Sequence, residues 1–352
     1  MRALTVQPGF ANSIELIDVP PPPASDGALL VRALALGICG TDHEIISGEY
    51  GWAPDHQERL IIGHESLGKV EEAPDGSGFK RGELVVGIVR RPDPVPCPAC
   101  AAGEWDMCRN GRYTERGIKQ RNGYGAEHFR LEPEFAVKID PRLGLLGVLL
   151  EPASVVAKAW DHIERIGQRT RSWRPRTLLV TGAGPVGLLA ALLGKQRNLD
   201  VHVLDRAKAG PKPDLVRDLG ATYHVGDLGD MKADLVMECT GASEVILDVI
   251  ERAGPAGIVC LAGVSSGGHR LSVDVGGSNR DMVLENNAVF GSVNANRYHY
   301  ELAADALARA DKTWLGRLIT RRVPLTRWRE AFEKHPGDIK VLVDFTAGHL
   351  QE

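Results

Sequence analysis

The chain has 352 residues and a mass of 38.1 kDa, more than one compact core usually organises, so two domains are expected. Apolar residues at 43% and charged residues at 25% exclude a disordered, collagenous or fibrous chain. A net charge of −4 and a pI near 6.3 exclude the basic face of a nucleic-acid binder.

In chain order, MRALTVQPGF carries no apolar signal-peptide core, and a cytoplasmic protein is expected. The runs ALLVRALALGICG, RLIIGHESLGKVEE, GELVVGIV and AEHFRLEPEFAVKI are rich in Val, Ile and Leu and cut by Gly and Pro, which predicts a β-rich domain over residues 1–155. From about Val155 the pattern changes. TLLVTGAG is a buried-strand run, PVGLLAALLGKQR a helix, DVHVLD a strand and PDLVRDLGA a helix. ADLVMECTG, the helix SEVILDVIERA and GIVCLAGV come next. Strands alternating with helices predict βαβ units and a doubly wound parallel sheet, an α/β domain over residues 156–290. The uncharged stretch Thr177–Gly194 breaks into strand, turn and helix within this pattern, a better reading than a membrane span. A helix over His299–Ala310 and a strand at KVLVDF end the chain.

Glycine is in surplus, 40 residues or about 11% against a typical ~7%, without a period. Gly182-Ala183-Gly184-Pro185-Val186-Gly187 fits G-x-G-x-x-G, and its context gives it weight: an apolar strand precedes it and an apolar helix comes after. The first glycine makes the tight turn, the second lets backbone approach a pyrophosphate, and the third permits close helix–strand packing. The helix N-terminus then offers N–H groups and positive dipole to the phosphates. Asp205, eighteen residues past Gly187, ends the next strand, where a carboxylate accepts the adenosine ribose hydroxyls and repels a 2′-phosphate. NAD is therefore favoured over NADP, although Arg206 and Lys208 beside it could pair with that phosphate.

Six cysteines are too few for a disulfide scaffold, and three of them fall within twelve residues, a metal-like spacing. Cys97-x₂-Cys100-x₇-Cys108 supplies three ligands where structural zinc takes four. Asp93, Asp106 and Glu104 are the nearest fourth candidates, and a lobe that has lost its metal is the other reading. A dispersed set, Cys39, His64-Glu65 and Glu151, sits at expected strand ends or turns and combines thiolate, imidazole and carboxylate as a zinc set with one open position. Taken singly, a lone Cys is most often a core residue and a His-Glu pair solvated. Cys239 and Cys260 lie inside apolar strand runs and read as core.

The order GICGTD, GHE, the cysteine lobe, LLEPASV and VTGAGPVG resembles the zinc-dependent medium-chain dehydrogenase/reductase superfamily along essentially the whole chain. The segments CPACAAGEWDMC, GRYTERGIKQRNGYGAEHF and GSVNANRYHYE are similar to its archaeal-type glucose 1-dehydrogenase subfamily. The resemblance implies a GroES-like catalytic domain, a Rossmann domain, and a return of residues 291–352 to the catalytic domain. It makes Cys39 and His64 catalytic zinc ligands, Glu65 a carboxylate that binds directly or through water, and Glu151 the variable ligand. Thr41 matches the hydroxyl that passes the substrate proton outward, through the cofactor ribose or His43, a residue that an ordinary surface position beside Asp42 explains equally well, and Glu115 and Asn294 match positions that hold sugar hydroxyls. Thr240 and Asn294 join the glycine turn, Asp205 and Arg206 as cofactor contacts. The first lobe cysteine of the family falls at Pro94 here. The activity implied by the resemblance is that of an NAD(P)-dependent zinc dehydrogenase oxidising a sugar hydroxyl, C1 of an aldose such as glucose, to the lactone. A polyol, cyclitol or secondary-alcohol dehydrogenase is the alternative within the class, and a non-catalytic dinucleotide-binding protein the one outside it. A homodimer or homotetramer is implied, with neither nucleic acid nor membrane as partner.

Overall fold

A computed structural model describes residues 1–265, 267 and 270–347. The chain divides into two compact units, Met1–Ser154 with Asn294–Glu352, and Val155–Val293.

The first unit is built on a seven-stranded sheet whose centre is the strand Leu29–Ile38. Its sequence, LLVRALALGI, buries alternate residues at first and every residue from Ala35 onward, as a strand covered on both faces requires. Glu65–Glu72 pairs antiparallel on one side of it and Lys340–Asp344 on the other. The last strand of the chain thus lies beside the first long one, and Ile319–Pro324 runs parallel outside it. Register does the functional work here. Gly37 faces Glu65 and Ile38 faces Val341. Residues far apart in sequence, Cys39, His64 and Lys340, are thereby delivered to one end of the sheet. Leu36, Ile62, Val70, Phe129 and Val343 are among the side chains filling the core beneath.

The second unit is a six-stranded sheet in the order Thr222–His224, Asp200–Leu204, Thr177–Thr181, Ala233–Glu238, Ala253–Leu261, Ala288–Gly291, with every pair parallel. The strand order reverses between Thr177–Thr181 and Ala233–Glu238, and such a reversal opens a ligand crevice at the strands' carboxyl ends. This is the doubly wound Rossmann arrangement. Thr177–Gly194 divides into the strand Thr177–Thr181 and the helix Pro185–Lys195. The helical stretch Pro141–Gly167 is long and apolar enough to cross a membrane, yet 72% of its apolar window is buried in the protein.

Two local expectations fail. GTDHEII, within the β-rich part, is the helix Gly40–Ile46, and Glu151 sits in the first turn of the helix Leu150–Gly167 rather than at a strand end. In the first case Asp42 at the third position from the Cys39 cap is the helix signal; in the second, Leu150, Ala153, Val156, Trp160 and Ile163 keep a helical period.

Candidate active site

Cys39 caps the helix Gly40–Ile46, and its N–H donates to Asp42 Oδ2 at 2.9 Å. That bond fixes the cysteine at the mouth of the helix. Cys39 Sγ lies 3.0 Å from His64 Nε2, and Cys39, His64 and Glu65 bring their ligand atoms within 4.8 Å of one another. The other imidazole nitrogen, His64 Nδ1, faces Asp42 Oδ1 at 3.5 Å. A carboxylate behind a ligand histidine fixes its ring and tautomer and raises its basicity. Sequence reading missed Asp42. Its signal was the third position after the cap, from which a short acidic side chain reaches back to the cap N–H.

The cluster is short of positive charge. Lys340, fully buried, donates to both oxygens of Glu65 at 2.6 Å and to the Ile38 carbonyl at 3.2 Å. Burial pushes the Cys39 thiol up, and Asp42 and Glu65 add to this while His64 opposes it. Burial would lower His64, but Cys39 and Asp42 raise it well above the ordinary imidazole range. Burial pushes Glu151 up to about 7, with Glu65 and Asp42 adding and His64 and Lys340 opposing. The thiol, imidazole and carboxylate of Cys39, His64 and Glu65 converge as a donor set suited to zinc, and Glu151, which feels the charges of His64 and Glu65, stands outside that trio. Thr41 lies in the first turn of the same helix. His43, two residues on, is half-buried and edge-on to Phe332, its imidazole lowered by burial and by Lys334.

The second metal candidate lies in the same unit. Cys97, Cys100 and Cys108 bring their sulfurs within 4.8 Å of one another. Cys97 caps the turn Pro98–Ala101. Its sulfur accepts the Arg109 N–H at 3.4 Å. Asp93 does not join the trio: its carboxylate receives the Val95 N–H at 2.8 Å and Arg112 Nε at 3.3 Å. Asp106 accepts Asn296 Nδ2 at 2.9 Å.

Glu115 and Asn294 meet directly, Asn294 Nδ2 donating to Glu115 Oε1 at 2.8 Å. Arg90 Nε and one guanidinium nitrogen reach the same oxygen at 3.0 Å, while the Arg90 guanidinium stacks 3.7 Å over Tyr113. Arg90 was not anticipated, and its strand pairing with Glu115 explains the contact.

In the α/β unit the glycine turn has the geometry its spacing predicts. Gly182 has φ +89°, and a Cβ on Gly187 would lie 1.8 Å from the Gly182 carbonyl oxygen. A Cβ on Gly184 would meet nothing, so there the missing side chain leaves room outside the protein. Pro185 and Val186 open the helix behind it. Asp205 accepts the N–H groups of Ala183 at 2.7 Å and Ala207 at 2.9 Å, with Lys212 Nζ at 3.4 Å. Burial raises its carboxyl, but those donors outweigh it and hold it below the usual range. Arg206 is exposed. Thr240 is held by Glu238, a fully buried carboxylate that accepts the Thr240 N–H at 2.6 Å, the Gly241 N–H at 3.1 Å and Thr181 Oγ1 at 3.3 Å. Glu238 also escaped sequence reading, because an acid inside an apolar run reads as a strand terminus. Cys260 is buried in its strand, and Cys239 comes directly after the strand Ala233–Glu238.

Two family models match the chain: the alcohol dehydrogenase GroES-like domain over residues 25–141 and the glucose dehydrogenase C-terminus over residues 144–345. The chain is 40% identical to glucose 1-dehydrogenase of Methanocella arvoryzae, covering 99% of this chain and all of that protein. It is 38% identical to glucose 1-dehydrogenase 2 of Vulcanisaeta moutnovskia, over 98% and 99% of the two chains. The glucose dehydrogenase of Haloferax mediterranei, solved in complex with NADP, Zn and gluconolactone, superposes with a TM-score of 0.90 at 32% identity, over 98% and 99% of the two chains. The chain belongs to the zinc-dependent medium-chain dehydrogenase/reductase superfamily and, within it, to the glucose dehydrogenase family.

Proposed function

We propose that the protein is an NAD(P)-dependent zinc dehydrogenase that oxidises the C1 hydroxyl of an aldopyranose such as glucose to the lactone. The observation that carries this reading is that one unit combines the Cys39–His64–Glu65 cluster with the Glu115–Asn294 pair. The lactone-bound Haloferax relative supports it.

Cys39 and His64 would hold the metal, with Glu65 as a donor directly or through water and Glu151 as the variable ligand. Zinc bound there would supply Lewis-acid polarisation of the substrate hydroxyl, and a bound nicotinamide would supply the acceptor for the C1 hydride. His64 Nδ1 faces Asp42 Oδ1 at 3.5 Å and Nε2 faces Cys39 Sγ at 3.0 Å, so Nε2 is the nitrogen that would bind the metal. Thr41 Oγ1 would accept the hydroxyl proton as its own proton passes to the cofactor ribose or to His43. Glu115 Oε1 already receives Asn294 and Arg90; the carboxylate is thereby pinned, and with the Asn294 amide it orients ring hydroxyls. Gly182, Gly184 and Gly187 open the turn to a pyrophosphate, Glu238 fixes Thr240 beside it, and Asp205 receives the ribose hydroxyls.

NAD is favoured over NADP because the Asp205 carboxylate occupies the end of its strand as an anion. Lys212 offsets part of that charge. For the cysteine lobe the reading is a three-thiolate zinc site without a protein carboxylate from Asp93. The helix Val275–Glu285 buries none of its residues and exposes Val275, Val283 and Leu284 beside the edge strand Ala288–Gly291. That apolar edge supports a homodimer or homotetramer, which sedimentation would detect. All six cysteines are free thiols, in keeping with a reducing, cytoplasmic setting.

The deciding experiment is a substrate panel on the zinc-loaded enzyme with glucose, other aldoses, linear polyols and simple alcohols, read by nicotinamide absorbance. Lactone formation from glucose is expected, and oxidation of polyols with aldoses ignored would refute the sugar reading. Cys39→Ala is expected to abolish turnover with dinucleotide binding intact. Asp205→Ala is expected to weaken NAD more than NADP, and the opposite order reverses that assignment.

A further inference from the structure

Behind Glu115 and Asn294 lies a closed ring of buried contacts, and one residue of the cysteine lobe is its hub. We propose that Asp106 is a positioning residue for sugar binding, an inference that rests on reading Glu115 and Asn294 as the sugar clamp.

Asp106 lies in the turn Trp105–Met107, between Cys100 and Cys108. It reaches the clamp from both sides. Its carbonyl accepts a guanidinium N–H of Arg90 at 3.1 Å, and Arg90 in turn holds Glu115 Oε1 at 3.0 Å. Its carboxylate accepts Asn296 Nδ2 at 2.9 Å, with His299 Nδ1 at 3.9 Å. Asn296 caps the helix Arg297–Arg309, so it ties Asp106 to the helix that begins just beyond Asn294. Asn294 closes the ring on Glu115.

Two features make the ring consequential. Arg90, Asp106, Glu115 and Asn296 are each no more than 6% exposed, and in such surroundings hydrogen bonds are strong and their loss is not made good by water. Asn294 has φ +62°, in the left-handed region that asparagine tolerates, and its amide oxygen accepts the Ala295 N–H at 2.8 Å, which ties the amide to the backbone that follows. Its amide is therefore aimed by what holds the next residues, and Asp106 holds Asn296.

The test uses full-length, zinc-loaded enzyme and compares Asp106→Ala, Asp106→Asn, Asn296→Ser and Glu115→Gln by glucose KM, kcat and dinucleotide Kd. Asp106→Ala is expected to raise glucose KM about tenfold, the scale of one buried charge-assisted hydrogen bond, with dinucleotide Kd unchanged. Asp106→Asn retains the acceptor and stays near wild type. Asn296→Ser keeps a helix cap but cuts the link, so it reproduces the Ala phenotype even where Asp106→Ala fails to fold. If Glu115→Gln raises glucose KM while Asp106→Ala and Asn296→Ser do not, the positioning role falls and the clamp reading stands. If Glu115→Gln leaves glucose KM unchanged, the clamp reading falls and takes the positioning role with it. A matching rise in dinucleotide Kd would reveal general loosening and overturn the proposal.

Discussion

Replacing Lys340 by Met tests whether the cluster at Cys39 is organised around missing positive charge. Lys340 Nζ donates to both oxygens of Glu65 at 2.6 Å, and the two side chains are 1% and 3% exposed. Methionine keeps much of the volume but leaves the Glu65 carboxylate buried near Cys39 and Glu151 without its cation. Removing one partner of a buried ion pair costs about 3–5 kcal/mol. For a unit of this size each kcal/mol lowers Tm by about 2–4 °C, so the metal-free variant is expected to melt roughly 6–20 °C below wild type. Zinc binds the native cluster and not the unfolded chain, which stabilises the fold. The vacated positive charge also makes the variant's site more attractive to a cation. The loss measured by calorimetry in saturating zinc is therefore smaller than the loss measured in chelator. Equal losses in zinc and chelator would refute the charge argument, and a metal-free melt equal to wild type would remove Lys340 from the cluster's energetics.

Gly184→Ala and Gly187→Ala separate two uses of glycine. A Cβ at 187 meets the Gly182 carbonyl oxygen at 1.8 Å, so that variant loses stability by about 1–3 kcal/mol or more in thermal melts. A Cβ at 184 meets nothing, so that variant melts like wild type yet binds dinucleotide more weakly by calorimetric titration; intact binding would refute the pyrophosphate assignment. Glu238→Gln turns one of the two acceptor oxygens that face the N–H groups of Thr240 and Gly241 into a donor. It is expected to cost about 1–3 kcal/mol and to raise dinucleotide Kd, and an unchanged Kd would refute its positioning role. Glu132 joins Arg91 at 2.8 Å and Arg121 more closely, and although burial raises its carboxyl, those arginines hold it below the usual range. A lowered folded pKa contributes stability that is full above the unfolded value of about 4.3 and is lost as pH falls through the folded value. Glu132→Gln should be less stable than wild type at pH 7 and converge with it in acid, and a pH-independent gap would refute the ion-pair account.

The parallel sheet was legible because alternating apolar strands and helices have few other solutions, and the glycine turn because steric rules dictate its spacing. Cys39, His64 and Glu65 were legible as residue types suited to metal, but their meeting was not, since it depends on the register of Gly37 with Glu65. Lys340 was beyond reach for the same reason: its partner is 275 positions away, and nothing local marks it as other than a surface lysine. The helix at Gly40–Ile46 was missed because GICGTD drew attention as a ligand loop, whereas Asp42 at the third position is also a capping signal. Arg90 and Asp106 lay within segments read for other purposes. Their roles come from bonds to backbone carbonyls and buried amides, which residue type alone does not announce.

The two cysteine sets look alike in sequence and differ in physics. Asp42 and Glu65 act on Cys39 and also on Glu151, and Lys340 beside them is already committed to Glu65. Ionising the thiol and Glu151 together there requires a further cation, and a metal that displaces their protons supplies it. Around Cys97, Cys100 and Cys108 no comparable set of acids converges among the described residues: Asp93 answers to Arg112, and Asp106 to Asn296. Backbone N–H groups led by that of Arg109 bring the Cys97 thiol down to about 6, while burial pushes Cys100 up to about 11. A thiol cluster stabilised by backbone donors holds its shape with less dependence on a metal's charge. Chelation should therefore disturb the Cys39 cluster more than the lobe, which keeps the backbone N–H groups that stabilise Cys97.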